Sequence, residues 1–293
     1  MPLCPFNEML QDAAAGGYAV GYFEPWDQYS MEAVVQAAQN QNCPVIIGCG
    51  GVMMNQEWFD HHGLAALAAL GRTIAERASV PTSLLLNEVN TFVQIERGLD
   101  AGFNAVMLVS SHLPYEENLA WTKKVVDSAH AVGVAVEGEL GHLPEGADQL
   151  TERDSLTDPD QAADFVSRTG IDTLAVSIGN AHCLREGQVG AVDFDRLADI
   201  HSKVSLPLVV HGGTGFPDEA VPQVIAQGVA KFNVGTIMKR LFHAGFRDAL
   251  ANTAADADAQ QVIGSRKAPD LVAMAMDRVR QEVERRMVLY RNK

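Results

Sequence analysis

The chain alternates eight times between a short apolar segment and a longer segment of helical periodicity. The apolar segments are rich in Val, Ile and Leu with few polar residues between them, which is typical of strands buried on both faces of a parallel sheet. The predicted strands are 18–23, 44–49, 83–87, 105–110, 134–140, 173–179, 208–212 and 231–236. The predicted helices are 30–41, 61–78, 91–101, 116–132, 158–169, 193–203, 218–227 and 236–252. Eight such units predict a TIM (β/α)8 barrel, and a doubly wound open sheet is the alternative.

No Ser/Gly/Pro-rich stretch or long run of like charges separates these units, so we expect a single barrel domain over 1–293. The segment 267–291 follows the last unit and predicts a C-terminal helix that crosses to a partner subunit. The segment 142–156 is polar, acidic and long for a loop between a strand and a helix, and we interpret it as a mobile lid.

The charge balance limits the binding partners that we expect. Asp and Glu total 37 against 22 Lys and Arg, a formal net charge of −15, which disfavours nucleic acid as a partner. We find neither a membrane-length apolar run nor an N-terminal export signal. The four cysteines have no CxxC or zinc-ribbon spacing, so we expect reduced thiols in a cytoplasmic protein.

Polar residues end most of the predicted strands. Active sites of TIM barrels lie at the carboxyl ends of the strands, so these residues should converge on one mouth. Several carboxylates and two or more histidines on one rim indicate a metal site or an acid–base site, whereas any one of them alone is more often a capping residue. The residues concerned are Glu24, Asp27, Asn87, Glu88, Ser110, Ser111, His112, Glu137, Glu139, Asn180, His182, His211, Asn233 and Thr236.

Two glycine-containing segments follow the seventh and eighth strands, HGGTG at 211–215 and NVGT at 233–236. Glycines allow backbone N–H groups to approach an anion, and loops at these two positions commonly bind phosphate in TIM barrels. We therefore predict a phosphate site there, with tight turns as the simpler interpretation. Its candidate residues are Gly179, Gly212, Gly213, Thr214, Asn233, Gly235 and Thr236.

Several strings, in order along the chain, carry a resemblance to a known family. They include SSHLPYEEN at 110–118, VAVEGELG at 134–141, LPLVVHGGTGFPDE at 206–219 and KFNVGT at 231–236. Together the chain resembles the class II, metal-dependent fructose-bisphosphate aldolase family, which also includes tagatose-bisphosphate aldolases.

The resemblance implies a catalytic zinc bound by three histidines, of which two match His182 and His211. The third falls at Glu88, and the family's catalytic Asp falls at Asn87. A carboxylate can replace an imidazole on zinc and also suits Mn²⁺ or Fe²⁺, so we still expect a metal site, with Glu139 as a further candidate ligand.

The altered motif changes the expected proton chemistry. Because Asn87 cannot accept a proton, we expect it to orient the substrate hydroxyl while a carboxylate takes the proton. The candidates are Glu88 if it does not bind the metal, Glu24, Asp27 and Glu145 of the predicted lid. Glu24 and Asp27 stand where the family has amides, and two acids there would repel a second phosphate.

The resemblance thus implies a lyase that performs aldol or retro-aldol cleavage on a ketose-like substrate carrying one phosphate, different from fructose 1,6-bisphosphate. A sugar-phosphate epimerase or isomerase and a non-catalytic protein that binds phosphate esters are the alternatives. A homodimer or homotetramer is the expected assembly.

Overall fold

A computed structural model describes residues 3–52, 54–141, 156–181 and 191–292. Within these residues, eight parallel strands pair in sequence order and close into a barrel. The strands are β1 (Val20–Phe23), β2 (Val45–Gly50), β3 (Thr82–Val89), β4 (Ala105–Leu108), β5 (Ala135–Leu140), β6 (Thr173–Val176), β7 (Leu208–Val210) and β8 (Val229–Val234). The predicted TIM barrel is confirmed, and the open-sheet alternative is wrong because β1 pairs with β8.

Helices connect the strands and surround the barrel. They are α1 (Phe6–Gly16), α2 (Gln28–Gln41), α3 (Gln56–Trp58), α4 (Leu64–Arg77), α5 (Phe92–Ala101), α6 (Tyr115–His130), α7 (Pro159–Thr169), α8 (Phe194–Lys203), α9 (Val221–Ala226), α10 (Thr236–Ala251), α11 (Ala259–Val262) and α12 (Leu271–Tyr290). A π-helical turn at Phe59–Gly63 joins α3 to α4, and short 3-10 turns occupy Gly213–Gly215 and Asp218–Ala220.

Successive side chains of each strand point alternately to the outside and to the inside of the barrel, so each strand contributes to two cores. The outward residues pack under the helices in one large cluster. The inward residues form a smaller cluster inside the barrel, which includes Val20, Tyr22, Ile46 and Leu85.

Helix α1, which the sequence analysis did not predict, supplies Phe6, Met9 and Leu10 to this inner cluster. It therefore closes one end of the barrel with apolar side chains and leaves the opposite end for a site.

The C-terminal helix was predicted over 267–291 and is observed as α12 (Leu271–Tyr290). It begins at the buried N-cap Asp270, whose side chain accepts hydrogen bonds from the backbone N–H groups of Val272 and Ala273. It packs on α2, α10 and β1 of its own chain. The predicted crossing to a partner subunit stays a prediction, as does the single-domain assignment.

Candidate active site

The inward positions of β5 and β8 carry charged and amide side chains instead of apolar ones. Strand β5 presents Glu137 and Glu139, and β8 presents Lys231 and Asn233, each pair separated by two residues. All four side chains are buried. Buried charges are tolerated when they are paired and hydrogen-bonded, so this part of the barrel must contain a polar network.

His211 lies at the centre of that network, directly after β7, and is fully buried. Its Nε2 is 2.9 Å from Oε1 of Glu137, and its Nδ1 is 3.1 Å from Oε1 of Glu88. Nδ1 is also 3.6 Å from Oε1 of Glu139. One imidazole is thus held among three carboxylates.

These contacts determine the protonation of the site. Burial lowers the pKa of His211, but hydrogen bonds to Glu137 and Glu88 outweigh burial and raise the pKa to about 10. The pKa of Glu137 is lowered despite burial because Lys231 and His211 stabilise its charge. The pKa of Glu139 is raised by burial and by the neighbouring charge of Glu88. In this arrangement, a proton on His211 supplies the positive charge between the carboxylates.

The donor atoms around His211 Nδ1 are chemically suited to a divalent cation. Oε1 of Glu139 is buried and has no hydrogen-bond partner among the described residues, while Oε2 accepts from Ser111. Imidazole nitrogen and carboxylate oxygen are both ligands of catalytic zinc, and carboxylates also suit Mn²⁺. Within the described ranges, no group of three or more His, Cys, Asp or Glu side chains is already arranged to hold a metal ion. A complete site therefore needs these donors to move together or a further ligand.

Asn87 and Glu88 end β3 next to His211. The Nδ2 of Asn87 donates to Oε2 of Glu88 at 2.8 Å, and the Nδ2 of Asn233 faces Oδ1 of Asn87 at 3.4 Å. Glu88 has φ 48°, in the left-handed region that non-glycine residues seldom adopt. The ladder between β3 and β4 shifts register between Leu86 and Val89. The register shift and the unusual backbone conformation of Glu88 thus occur at the same place as the contact of its carboxylate with His211.

The glycine segment after β7 meets the start of α10. Gly212 has φ 71°, and a Cβ there would lie 2.2 Å from the carbonyl oxygen of Ala181, so only glycine fits. The hydroxyl of Thr214 accepts a hydrogen bond from the backbone N–H of Ile237 at 3.1 Å. The predicted phosphate residues after β7 and β8 therefore lie together at the N-terminus of a 16-residue helix, which favours an anion.

Arg286 of α12 holds this glycine segment from the other side. Its guanidinium donates to the carbonyl oxygens of Gly213 and Thr214 at 2.6 and 3.3 Å and pairs with Glu282 at 2.7 Å. Only 5% of its side chain is exposed. Hydrogen bonds of Arg286 thus link the C-terminal helix to the candidate phosphate loop of the same chain.

The two acids after β1 have different surroundings. Glu24 lies between two glycines: a Cβ on Gly50 or Gly235 would come within 2.8 or 2.6 Å of its carboxylate oxygens. Its Oε1 is 3.3 Å from Nζ of Lys239 in α10. Asp27 instead caps α2, because its carboxylate accepts from the backbone N–H and the hydroxyl of Ser30. The structure thus gives Asp27 a helix-capping role.

The predicted site residues His182 and Glu145 lie outside the described residues. The predicted lid 142–156 also lies outside them, except for residue 156. Gly179 is described and adopts φ 98°. Asn180 is buried and donates to the backbone carbonyl of His211 at 2.9 Å, so it supports the segment that carries the histidine.

The sequence analysis did not identify Lys231 or Arg286 as site residues. Lys231 lies within an apolar strand, and Arg286 lies among the apolar positions of α12. Both are basic residues at positions that the periodicity assigns to the core, where charged residues are rare, and this pattern could have identified them as site candidates.

Comparison with known proteins identifies the family of the chain. A sequence model of the class II fructose-bisphosphate aldolases matches residues 5–293. The chain belongs to the class II fructose-bisphosphate aldolase family. Its membership supports an aldolase-type lyase, and class II aldolases are typically zinc-dependent.

Solved structures of members of this family share the fold of the chain. The YdjI aldolase from Escherichia coli K12 is 27% identical, with a TM-score of 0.81 and coverage of 98% of this chain and 97% of the other. A fructose-1,6-bisphosphate aldolase candidate from Coccidioides immitis is 25% identical, with a TM-score of 0.81 and coverage of 98% and 96%. The fructose-bisphosphate aldolase of Campylobacter jejuni is 21% identical, with a TM-score of 0.79 and coverage of 97% and 93%, and this likeness concerns the fold alone.

Among the described residues, no helix is long and apolar enough to cross a membrane.

Proposed function

We propose that the chain is a metal-dependent lyase that cleaves or forms a carbon–carbon bond in a ketose-like substrate carrying one phosphate, distinct from fructose 1,6-bisphosphate. The observation that carries the proposal is the convergence of His211, Glu88 and Glu139 beside the glycine segments after β7 and β8. A metal-binding donor set and an anion site at one barrel mouth are what a phosphorylated carbonyl substrate requires.

His211, Glu88 and Glu139, with His182 from outside the described residues, would hold the metal. Zn²⁺ is the expected ion, with Mn²⁺ or Fe²⁺ as alternatives because two of these donors are carboxylates. When bound, the metal supplies an electrophile that polarises the substrate carbonyl and stabilises the negative charge formed on bond cleavage.

The residues around the metal site orient the substrate and handle the proton. The amides of Asn87 and Asn233 contact each other and Glu88 at the inner wall of the mouth, where they would orient substrate hydroxyls. Because an amide does not accept a proton near neutral pH, the proton of the reacting hydroxyl goes to a carboxylate, for which the candidates are Glu145 and, if it does not bind the metal, Glu88. The phosphate is bound by Gly179, Gly212, Gly213, Thr214, Gly235 and Thr236.

Glu24 supports the restriction to one phosphate. Its carboxylate occupies the space between Gly50 and Gly235, close to the start of α10. This carboxylate pairs with Lys239, so that cation is not available to a second phosphate, and the carboxylate can accept hydrogen bonds from a hydroxyl or an amine. Asp27 was predicted to share this role, but its carboxylate caps α2. We therefore assign the substrate selectivity to Glu24 alone.

A cleavage assay over ketose monophosphates and ketose bisphosphates, with added Zn²⁺ or Mn²⁺, tests the activity. We expect metal-dependent cleavage of a monophosphate and, in Glu24→Gln, improved use of bisphosphates relative to monophosphates. Cleavage of fructose 1,6-bisphosphate at least as fast as of any monophosphate would refute the substrate assignment.

The same assay in D₂O separates lyase from epimerase or isomerase activity, the alternative that the amide at Asn87 favours. Deuterium incorporation into uncleaved sugar would support that alternative. Phosphate-ester binding without metal and without turnover would support a binding protein instead. The cytoplasmic location and the homo-oligomeric state stay predictions.

A further inference from the structure

Six buried or half-buried side chains beneath the mouth form a closed ring of hydrogen bonds. Each contact in the ring joins side chains on separate strands or strand ends, except the contact of Asn87 with Glu88 and that of Lys231 with Asn233. The ring runs through Lys231, Glu137, His211, Glu88, Asn87, Asn233 and back to Lys231.

Lys231 determines the direction of the hydrogen bonds on both sides of the ring. An ammonium group only donates. Its Nζ is 2.9 and 2.8 Å from the two carboxylate oxygens of Glu137, and 2.6 Å from Oδ1 of Asn233.

The first side of the ring leads to the imidazole. Glu137 is held by Lys231 and accepts from Nε2 of His211 at 2.9 Å. With Nε2 occupied as a donor, Nδ1 is the ring nitrogen that faces Glu88 and Glu139. In metal sites, a ligating histidine usually donates the N–H of its other ring nitrogen to a carboxylate or carbonyl, and this hydrogen bond fixes the orientation of the ring.

The second side of the ring leads to the two amides. Because Oδ1 of Asn233 accepts from Lys231, its Nδ2 points towards Oδ1 of Asn87. The Nδ2 of Asn87 in turn points towards Glu88. One ammonium group therefore orients the imidazole through one neighbour and both amides through the other.

The surroundings of Lys231 indicate that stability alone does not explain the burial of its charge. Its ammonium lies 5.5 Å from the ring centroid of Tyr22 and 5.9 Å from that of Phe6, both fully buried. Because apolar residues of similar volume in place of a buried ion pair are often neutral or stabilising, stability by itself is not a sufficient reason for this pair.

We propose that Lys231, acting through Glu137 and Asn233, is a positioning residue that sets the orientation of the His211 imidazole and the Asn87 amide at the metal site. The inference rests on the proposed function, because it assumes that His211 Nδ1 binds a metal.

The test measures zinc affinity in variants that remove the charges of the buried pair. Lys231→Met removes the ammonium, and the double variant Lys231→Met/Glu137→Gln removes both charges, so that no unpaired carboxylate is left in the core. Lys123→Met, in an exposed ion pair on α6, is the matched control. The zinc dissociation constant is measured by competition with a chromophoric chelator, and folding is followed separately by circular dichroism and urea unfolding.

We expect zinc binding by the double variant to be 10- to 100-fold weaker than by the wild type, on the order of the loss seen when such supporting residues are removed. Lys123→Met should keep the wild-type affinity. Lys231→Met should lose stability as well as affinity, because it leaves Glu137 buried without its cation.

A folded double variant with wild-type zinc affinity would show a merely structural role and overturn the inference, while leaving the proposed metal site intact. A wild-type protein that does not bind zinc would overturn both the proposed function and this inference.

Discussion

Replacing Asn87 with Asp places a second carboxylate against Glu88, and the structure allows the consequence to be calculated. The replaced amide nitrogen is 2.8 Å from Oε2 of Glu88. Two unit charges 2.8 Å apart repel by roughly 6 kcal/mol at an effective dielectric constant of about 20. The alternative is that one carboxyl takes up a proton. At pH 7 this costs about 4 kcal/mol, given an ordinary Glu pKa of about 4.3 and about 1.4 kcal/mol per pH unit.

Proton uptake is the less costly outcome, so the folded variant holds one more proton than the unfolded variant. Its stability therefore rises as the pH falls. Relative to the wild type, we expect Asn87→Asp to lose about 4 kcal/mol of unfolding free energy at pH 7 and only about 1 kcal/mol at pH 5. The proton that is taken up replaces the amide N–H as the donor between the two side chains.

Urea unfolding of both proteins at pH 7 and pH 5, in the presence of a chelator, measures these differences. Asn87→Ala is the control: it removes the donor without adding a charge, so its loss should be about 1–3 kcal/mol and similar at both pH values. An Asn87→Asp protein as stable as the wild type at pH 7, or one with equal losses at both pH values, would refute the reasoning.

Two further predictions concern α12. Arg286→Met should lower the unfolding free energy by about 1–3 kcal/mol in urea titrations, because it removes the donor to the carbonyl of Gly213, while Glu282 keeps its contact with Arg285. Arg278→Met, which breaks an exposed pair, should cost less than about 1 kcal/mol, and equal losses in the two variants would contradict this. The pKa of Asp270 is lowered, although burial raises it, because backbone N–H groups including that of Val272 donate to its carboxylate. Its charge therefore stabilises the fold above the ordinary Asp pKa near 4, and this stabilisation is lost as the pH falls through the lowered pKa, so Asp270→Asn should cost roughly 1 kcal/mol at pH 7 and less at acidic pH.

The periodicity of the apolar residues predicted the architecture. Strands buried on both faces give unbroken apolar segments such as 44–49, and the helices between them have their own period, so both signals are local in the chain. The eight strands and most of the helices are observed within a few residues of the predicted positions. Because all the strands of a parallel barrel end at one rim, the position of a residue such as His211 along its strand also predicted the location of the site.

Local sequence does not distinguish two roles where one residue type suits both. Asp27 follows a strand, as an active-site acid would, but it also precedes a helix, and its contact with Ser30 makes it a cap. Helix α1 was not predicted because its role, to close the inner core of the barrel, depends on strands that come later in the chain.

Only the tertiary structure decided which polar side chains meet. The contacts that define the site join residues far apart in the chain: 123 positions separate Glu88 from His211, and 94 separate Glu137 from Lys231. The sequence by itself determined the barrel, the rim and the types of side chain available there, because these follow from residue periodicity and strand direction. The closed ring around Lys231 and the contact of Arg286 with the glycine segment depend on strand register and on where α12 docks, which no local pattern of residues encodes.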